Sequence, residues 1–267
     1  MTLGVFDSGV GGLTVLREIR AKLPGANLVY IGDSQNAPYG PRSPEEITRL
    51  SHGQTRFLLE NFGAELIVVA CNTATMAAIQ TLRETFPEIP FVGMEPAVKP
   101  AAAATKSGIV GVLATVGTLQ SARFAALLDR FAAEITVLTR SCPGWVEAVE
   151  AGAFETPETV RLLQREVEPL LVAGADTLVL GCTHFPALRP ALQALVGPEV
   201  ALIDTGAAVA RRVAEQVAAQ GQEAGSLTLF TSGTPTVFSR SARAILGVEW
   251  LPTVWPLVWK DGRLENA

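Results

Sequence analysis

The chain has 267 residues, of which 48% are hydrophobic, with a mean hydropathy of +0.31, a formal net charge of −5 and a pI near 5.2. That length is ample for one large domain or two small ones whose core needs neither disulfides nor metal. The acidic balance without a dense basic stretch argues against nucleic-acid binding, and the apolar runs break well short of the roughly 20 residues a bilayer span needs.

Strand-like and helical runs alternate along the chain. The spacing predicts a strand over residues 3–6 ending at Asp7, a Gly-rich loop at Gly9, Gly11 and Gly12, a helix over 13–22, and a strand over 27–32 ending at Asp33. After a Pro/Gly-rich loop, Ser43 is placed to cap a helix with Pro44 at its first position, running over 44–62. Residues 66–70 form a continuous apolar run, as in a strand covered on both faces. A helix over 73–86, a strand over 91–94 and an Ala-rich helix over 97–105 follow.

The pattern then restarts. It predicts a strand over 109–114 ending at Thr115, a helix over 118–131, a strand over 135–138, and helices over 142–151 and 156–173. A strand over 178–180 precedes Cys182. Then come a helix over 188–195, a strand over 201–203 ending at Asp204, a long helix over 206–220 and a strand over 227–230. The tail carries Trp250, Trp255 and Trp259, which suit either a core or a contact surface. The expected class is α/β, with two similar lobes, each a mostly parallel sheet flanked by helices. The crossings near residues 95–100 and Asp204 divide the chain into 1–96 plus 206–267 and 97–205.

Three cysteines, an odd number and widely spaced, do not make a disulfide framework, so a reducing cytoplasmic setting is expected. The opening Met1–Asp7 lacks a basic region and leads into a strand, so no signal segment is expected.

Ligands of open α/β sheets bind beyond the carboxyl ends of the strands. Those ends collect Asp7-Ser8, Asp33-Ser34, Cys71-Asn72-Thr73, Thr115 and Cys182-Thr183-His184, a set without Lys or Arg. An anionic substrate would be held there by backbone N–H groups, hydroxyls and helix N-termini. A lone buried Cys is usually a small hydrophobe. Cys71 and Cys182 instead share one setting, each after an apolar strand and before cap-type residues. Cys142 lacks that setting and is assigned to packing, and His52, mid-helix, to structure. His184, two residues past Cys182, is the better acid–base candidate. The Gly-rich loop has neither the P-loop ending nor the dinucleotide spacing, and no Lys at a strand end marks a pyridoxal-phosphate site. A zinc site from Cys71, Cys182 and His184 is a minority alternative.

Five segments together resemble the bacterial glutamate racemases: Gly4-Val5-Phe6-Asp7-Ser8-Gly9-Val10-Gly11-Gly12-Leu13, Pro38-Tyr39-Gly40, Ala70-Cys71-Asn72-Thr73-Ala74, Gly111 through Thr118, and Gly181-Cys182-Thr183-His184-Phe185-Pro186. The resemblance runs from residue 3 to about residue 235. It implies interconversion of L- and D-glutamate without cofactor or metal, a role in peptidoglycan supply, a homodimer, and an active site in the cleft between the lobes. It places the catalytic cysteines at Cys71 and Cys182, with Asp7, His184 and Glu150 as helpers. Substrate contacts fall on Asp7, Ser8, Tyr39, Gly40, Asn72, Thr73, Thr183 and His184, with Thr115 and Thr118 added. Ser34-Gln35-Asn36-Ala37 and Pro143-Gly144-Trp145 depart from the family's usual pattern.

Removing a proton from one face of an amino acid and returning one to the other calls for two groups. A thiol, with an ordinary pKa of about 8.5, suits both roles. Helix starts after each Cys, and His184 beside Cys182, are expected to lower the thiol pKa values. Rival readings are a racemase of another amino acid and a two-lobed amino-acid-binding protein.

Overall fold

The computed structural model describes residues 1–217 and 224–267. It begins with β1 (Thr2–Asp7), α1 (Leu13–Lys22), β2 (Asn27–Gly32), α2 (Pro44–Phe62), β3 (Leu66–Val69), α3 (Asn72–Thr85) and β4 (Phe91–Val92). After α4 (Val98–Ala104) come β5 (Ile109–Ala114), α5 (Val116–Leu119), α6 (Ala122–Phe131), β6 (Thr136–Ser141), α7 (Trp145–Glu150) and α8 (Pro157–Val172). β7 (Thr177–Leu180), α9 (Arg189–Val196) and β8 (Ala201–Ile203) follow. The chain continues through α10 (Gly206–Gln216), β9 (Leu227–Thr231), α11 (Pro235–Leu246), β10 (Val254–Lys260) and β11 (Arg263–Asn266).

Two sheets result. The first runs β11-β10-β9-β2-β1-β3-β4 and the second β6-β5-β7-β8. All pairings are parallel except the β10–β11 hairpin. The local order β2-β1-β3-β4 recurs as β6-β5-β7-β8, so the two lobes are copies of one topology. β3, which leads to Cys71, and β7, which leads to Cys182, therefore occupy equivalent places. The register puts Phe6 beside Val69 in one sheet and Leu113 beside Leu180 in the other, bringing each thiol segment level with the end of the lobe's first strand.

The sequence accounts for these elements locally. Leu66–Val69 is wholly buried, as a strand packed on both faces must be. α1 and α10 pack together over one side of the first sheet, while α2 and α3 pack against each other elsewhere. Ser43 caps α2 by accepting the Glu46 N–H, Pro44 opens the helix, and Gly63 closes it with φ 58°.

Some expectations need correcting. The helix expected over 118–131 is two, because Thr115 caps α5 and Ser121 starts α6 by accepting the Phe124 N–H. The helix expected from Cys142 starts at Trp145, after Gly144 turns the chain with φ 85°. Cys182 precedes a short 3₁₀ turn, Phe185–Leu188, rather than an α-helix. Of the helix expected over 206–220, residues 218–220 lie outside the described residues. The tail builds α11 and a hairpin; Trp250 and Trp255 are exposed and Trp259 is half-buried. No helix among the described residues is long and apolar enough to cross a membrane.

Candidate active site

The site begins at the end of β1. Asp7 is fully buried, and its Oδ2 accepts the N–H groups of Gly9 (3.1 Å) and Gly12 (3.0 Å). Its Oδ1 accepts the Thr183 hydroxyl at 3.2 Å, and Thr183 follows β7. One carboxylate thus joins the two sheets. The glycine loop admits no side chain: a Cβ on Gly9 would stand 1.9 Å from Glu150 Oε1, and one on Gly11 2.2 Å from His184 Nδ1.

Cys71 is the N-cap of α3, its sulfur accepting the Ala74 N–H at 3.4 Å and lying 3.8 Å from Ser8 Oγ. Asn72 and Thr73, the first residues of α3, have N–H groups without intrahelical partners. Asn72 is buried, yet neither its Nδ2 nor its Oδ1 has a hydrogen-bond partner. A buried amide without partners is costly alone and matches a ligand carrying both a donor and an acceptor.

On the other side, Cys182 Sγ lies 3.8 Å from His184 Nδ1, and His184 Nε2 lies 2.6 Å from Glu150 Oε1. The same Oε1 accepts the Val10 N–H at 2.7 Å, and Oε2 accepts the Ser34 hydroxyl at 2.9 Å. A carboxylate at Nε2 places the proton on that nitrogen. Nδ1 then accepts from the thiol when the ring is neutral and donates to a thiolate when it is charged.

The electrostatics follow from burial. Burial raises the Asp7 pKa, only partly offset by His184 and the Gly12 N–H. Burial, then Asp7, raises the Cys71 thiol well above 9.0, with Cys182 adding to the rise. The expected lowering at Cys71 is therefore not what this closed arrangement provides: the helix N-terminus is present, but lost hydration outweighs it. For His184 burial acts to lower the pKa, yet hydrogen bonds to Cys182 and Glu150 and the charge of Asp7 prevail and raise it well above 6.5.

The Tyr39 hydroxyl hydrogen-bonds to neither thiol. It donates to Asp33 Oδ2 at 2.6 Å and accepts from Gln54 Nε2 at 3.0 Å. The backbone of the loop meets the second lobe instead: a Cβ on Gly40 would lie 2.9 Å from Thr115 Cβ. Thr73 Oγ1 is 2.8 Å from Thr115 Oγ1 and 3.3 Å from Thr118 Oγ1, a hydroxyl cluster bridging the lobes.

Around the glycine loop stand three sets: Cys71 with Ser8, Asp7 with Thr183, and Cys182 with His184 and Glu150; Thr73, Thr115 and Thr118 form a separate hydroxyl cluster. Sequence reasoning missed Tyr30, whose buried hydroxyl donates to the Gly9 carbonyl at 2.7 Å, and Thr14, whose Oγ1 lies 3.0 Å from the Thr183 carbonyl oxygen. A polar tip in the otherwise apolar β2 was the available signal for Tyr30. Cys142 lies buried in the core, and the His52 ring packs near Phe86. Among the described residues no group of three or more His, Cys, Asp or Glu side chains could hold a metal ion.

The sequence profile of the Asp/Glu/hydantoin racemases matches residues 13–213. The chain is 62% identical to the glutamate racemase of Ectopseudomonas mendocina over 211 residues, 79% of this chain and 80% of that one. It is 54% identical to the glutamate racemase of Pseudomonas aeruginosa PAO1, covering 93% of each. The fold matches the crystal structure of Bacillus anthracis glutamate racemase RacE1 with a TM-score of 0.85 at 32% identity, covering 98% of both chains. It also matches Escherichia coli glutamate racemase, solved with L-glutamate and the activator UDP-MurNAc-ala, with a TM-score of 0.80 at 38% identity over 92% of this chain and 94% of that one. The chain belongs to the Asp/Glu/hydantoin racemase family, on the branch of its glutamate racemases. It is an amino-acid racemase, an isomerase.

Proposed function

We propose that the chain interconverts L- and D-glutamate by two-base proton transfer without a cofactor, Cys71 and Cys182 acting on opposite faces of the α-carbon. The observation that carries this reading is the placement of the two thiols after the equivalent strands β3 and β7 of a duplicated topology. In one direction Cys71, as thiolate, takes the α-proton while the Cys182 thiol donates one to the other face; in the reverse direction the roles exchange. We assign Cys71 to D-glutamate and Cys182 to L-glutamate.

The two thiols have different surroundings. His184, held by Glu150, contacts Cys182 and suits a relay there. Asp7 raises the proton affinity of Cys71 through its charge, although it hydrogen-bonds to Gly9, Gly12 and Thr183 rather than to sulfur. The raised pKa of Cys71 makes the resting group a thiol, so substrate binding must supply the shift to thiolate. The α-ammonium of glutamate, a cation entering a buried site, acts in that direction. The free N–H groups at the start of α3, the unpaired Asn72 amide, Ser8, the Tyr39–Gly40 backbone and Thr183 are suited to hold the α-carboxylate as charge grows on it. Thr73, Thr115 and Thr118 offer hydroxyls beside it.

The reading extends to a division into lobes 1–96 with 206–267 and 97–205, a homodimer in the cytoplasm, and D-glutamate supplied to peptidoglycan. The test is a chiral assay with each glutamate enantiomer in deuterated water. Wild type is expected to exchange the α-proton and racemise without added cofactor. Cys71→Ala and Cys182→Ala should each lose on the order of 10²–10⁴-fold in kcat/KM. Near-normal racemisation by either variant would refute the two-thiol mechanism. Faster turnover of aspartate would reassign the substrate.

A further inference from the structure

The C-terminal hairpin ends far from Cys71 and Cys182 in sequence, yet it reaches the wall of the site through one side chain. Trp259, on β10, donates its indole N–H to Asp33 Oδ1 at 2.8 Å. Asp33 is fully buried at the end of β2. The same Oδ1 accepts the Ser232 hydroxyl at 2.6 Å, and Oδ2 accepts the Tyr39 hydroxyl at 2.6 Å. Asn36 Nδ2 lies 3.1 Å from both oxygens. Asp33 is thus saturated by donors from three parts of the chain.

A second path joins the same residues. Gly53 lies inside α2, where glycine costs about 1 kcal/mol relative to alanine. The reason for it here is the Trp259 ring: a Cβ on Gly53 would stand 2.5 Å from Trp259 Cζ3. The next residue, Gln54, donates to the Tyr39 hydroxyl at 3.0 Å. Tyr39 is therefore held by two groups: Asp33, to which Trp259 donates, and Gln54, whose chain neighbour Gly53 faces the Trp259 ring. Its backbone has little slack, because Gly40 closes on Thr115.

We propose that Trp259 is a positioning residue of the racemase site: through Asp33 and Gln54 it fixes Tyr39, and with it the Tyr39–Gly40 backbone that contacts the substrate carboxylate. This rests on the reading of Tyr39 and Gly40 as substrate contacts. A hydrogen bond to a charged acceptor is worth about 1.5–3 kcal/mol, and leaving the acceptor short of a donor lets the anchored loop relax. The effect belongs to binding, because no atom of Trp259 is near either thiol in the hydrogen-bond network.

The experiment uses the full chain. Trp259→Phe removes the N–H donor and, with it, the far edge of the indole that faces Gly53. Gly53→Ala keeps the donor and displaces the ring. Both should raise KM for both glutamate enantiomers about tenfold, with kcat changed less than about threefold. Tyr39→Phe, which detaches the anchor from Asp33, should raise KM similarly. In the Tyr39→Phe background, Trp259→Phe should add less than about twofold, since both act along one path. A lowered melting temperature with KM unchanged in both single variants would make Trp259 purely structural and overturn the proposal. So would additive effects of Trp259→Phe and Tyr39→Phe. Failure of wild type to turn over glutamate would instead strike the functional reading, which the wild-type arm reports separately.

Discussion

Glu150 Oε1 stands 2.6 Å from His184 Nε2 and 2.7 Å from the Val10 amide nitrogen. A residue at the end of α7 thereby sets the ring that faces Cys182 and, through the same oxygen, ties it to the glycine loop whose N–H groups bind Asp7. Replacing Glu150 by Gln keeps an acceptor for Val10 but removes the charge beside the imidazole. Activity should fall about 10–100-fold, the size expected when an acid–base group loses its orienting partner. Steady-state rates in both directions check this, and the direction that uses Cys182 as base should suffer more. Equal losses in both directions would separate Glu150 from the Cys182 side.

The same pair governs a stability profile. His184 has a folded-state pKa above its ordinary 6.5, so its protonated interactions contribute fully below that pH and are lost as pH rises through the raised value. Asp7, also raised, loses stability in the same direction as pH climbs from its ordinary 3.8. Urea midpoints of wild type should therefore decline on going alkaline. In Glu150→Gln the His184 part of that decline should shift to lower pH. A midpoint that rises with pH above neutrality would contradict this sign.

Gly11→Ala tests how closely the lobes meet. Its Cβ would stand 2.2 Å from His184 Nδ1, so the imidazole must move. Overpacking of this kind costs about 1–3 kcal/mol. A displacement near 1 Å at a group with the acid–base role proposed for His184 can cost on the order of 10²-fold in rate. Denaturation and kcat/KM should both register the change. A variant as active as wild type would show that the loop can retreat from His184.

Asn72→Ala separates binding from folding. The Asn72 amide is buried without partners, so removing it forfeits no internal hydrogen bond and should change stability by less than about 1 kcal/mol. If the amide serves the substrate, KM for glutamate should rise about 10–100-fold. Calorimetry alongside kinetics distinguishes the outcomes, and an unchanged KM would remove Asn72 from the site.

Much of this architecture was readable from local patterns. Ser43-Pro44 marked the start of α2, and the runs before Cys71 and Cys182 marked two buried strands, because caps and apolar periods act within a few residues. The same logic misled at Cys182. Thr183 and His184 look like cap residues, but their side chains turn to Asp7 and Glu150, so no α-helix starts there. α11 was missed although Thr234-Pro235, the buried Phe238, Ala242 and Ile245, and Gly247 with φ 66° carried its start, face and stop. Trp259 could not be placed at all. Its partner Asp33 is 226 residues away, and no local signal encodes a contact of that range.

β2 lies in the middle of the first sheet, between β1 and β9, although β9 is made after the whole second sheet. During synthesis β2 therefore keeps one edge unpaired until Leu227–Thr231 is available, and an open apolar edge is a hazard for mispairing. The duplicated lobe can close first; the glycine loop, Asp33 and Tyr39 reach their final setting only when the late strand arrives. The first sheet is thus completed only by a strand that follows the whole second lobe in the chain.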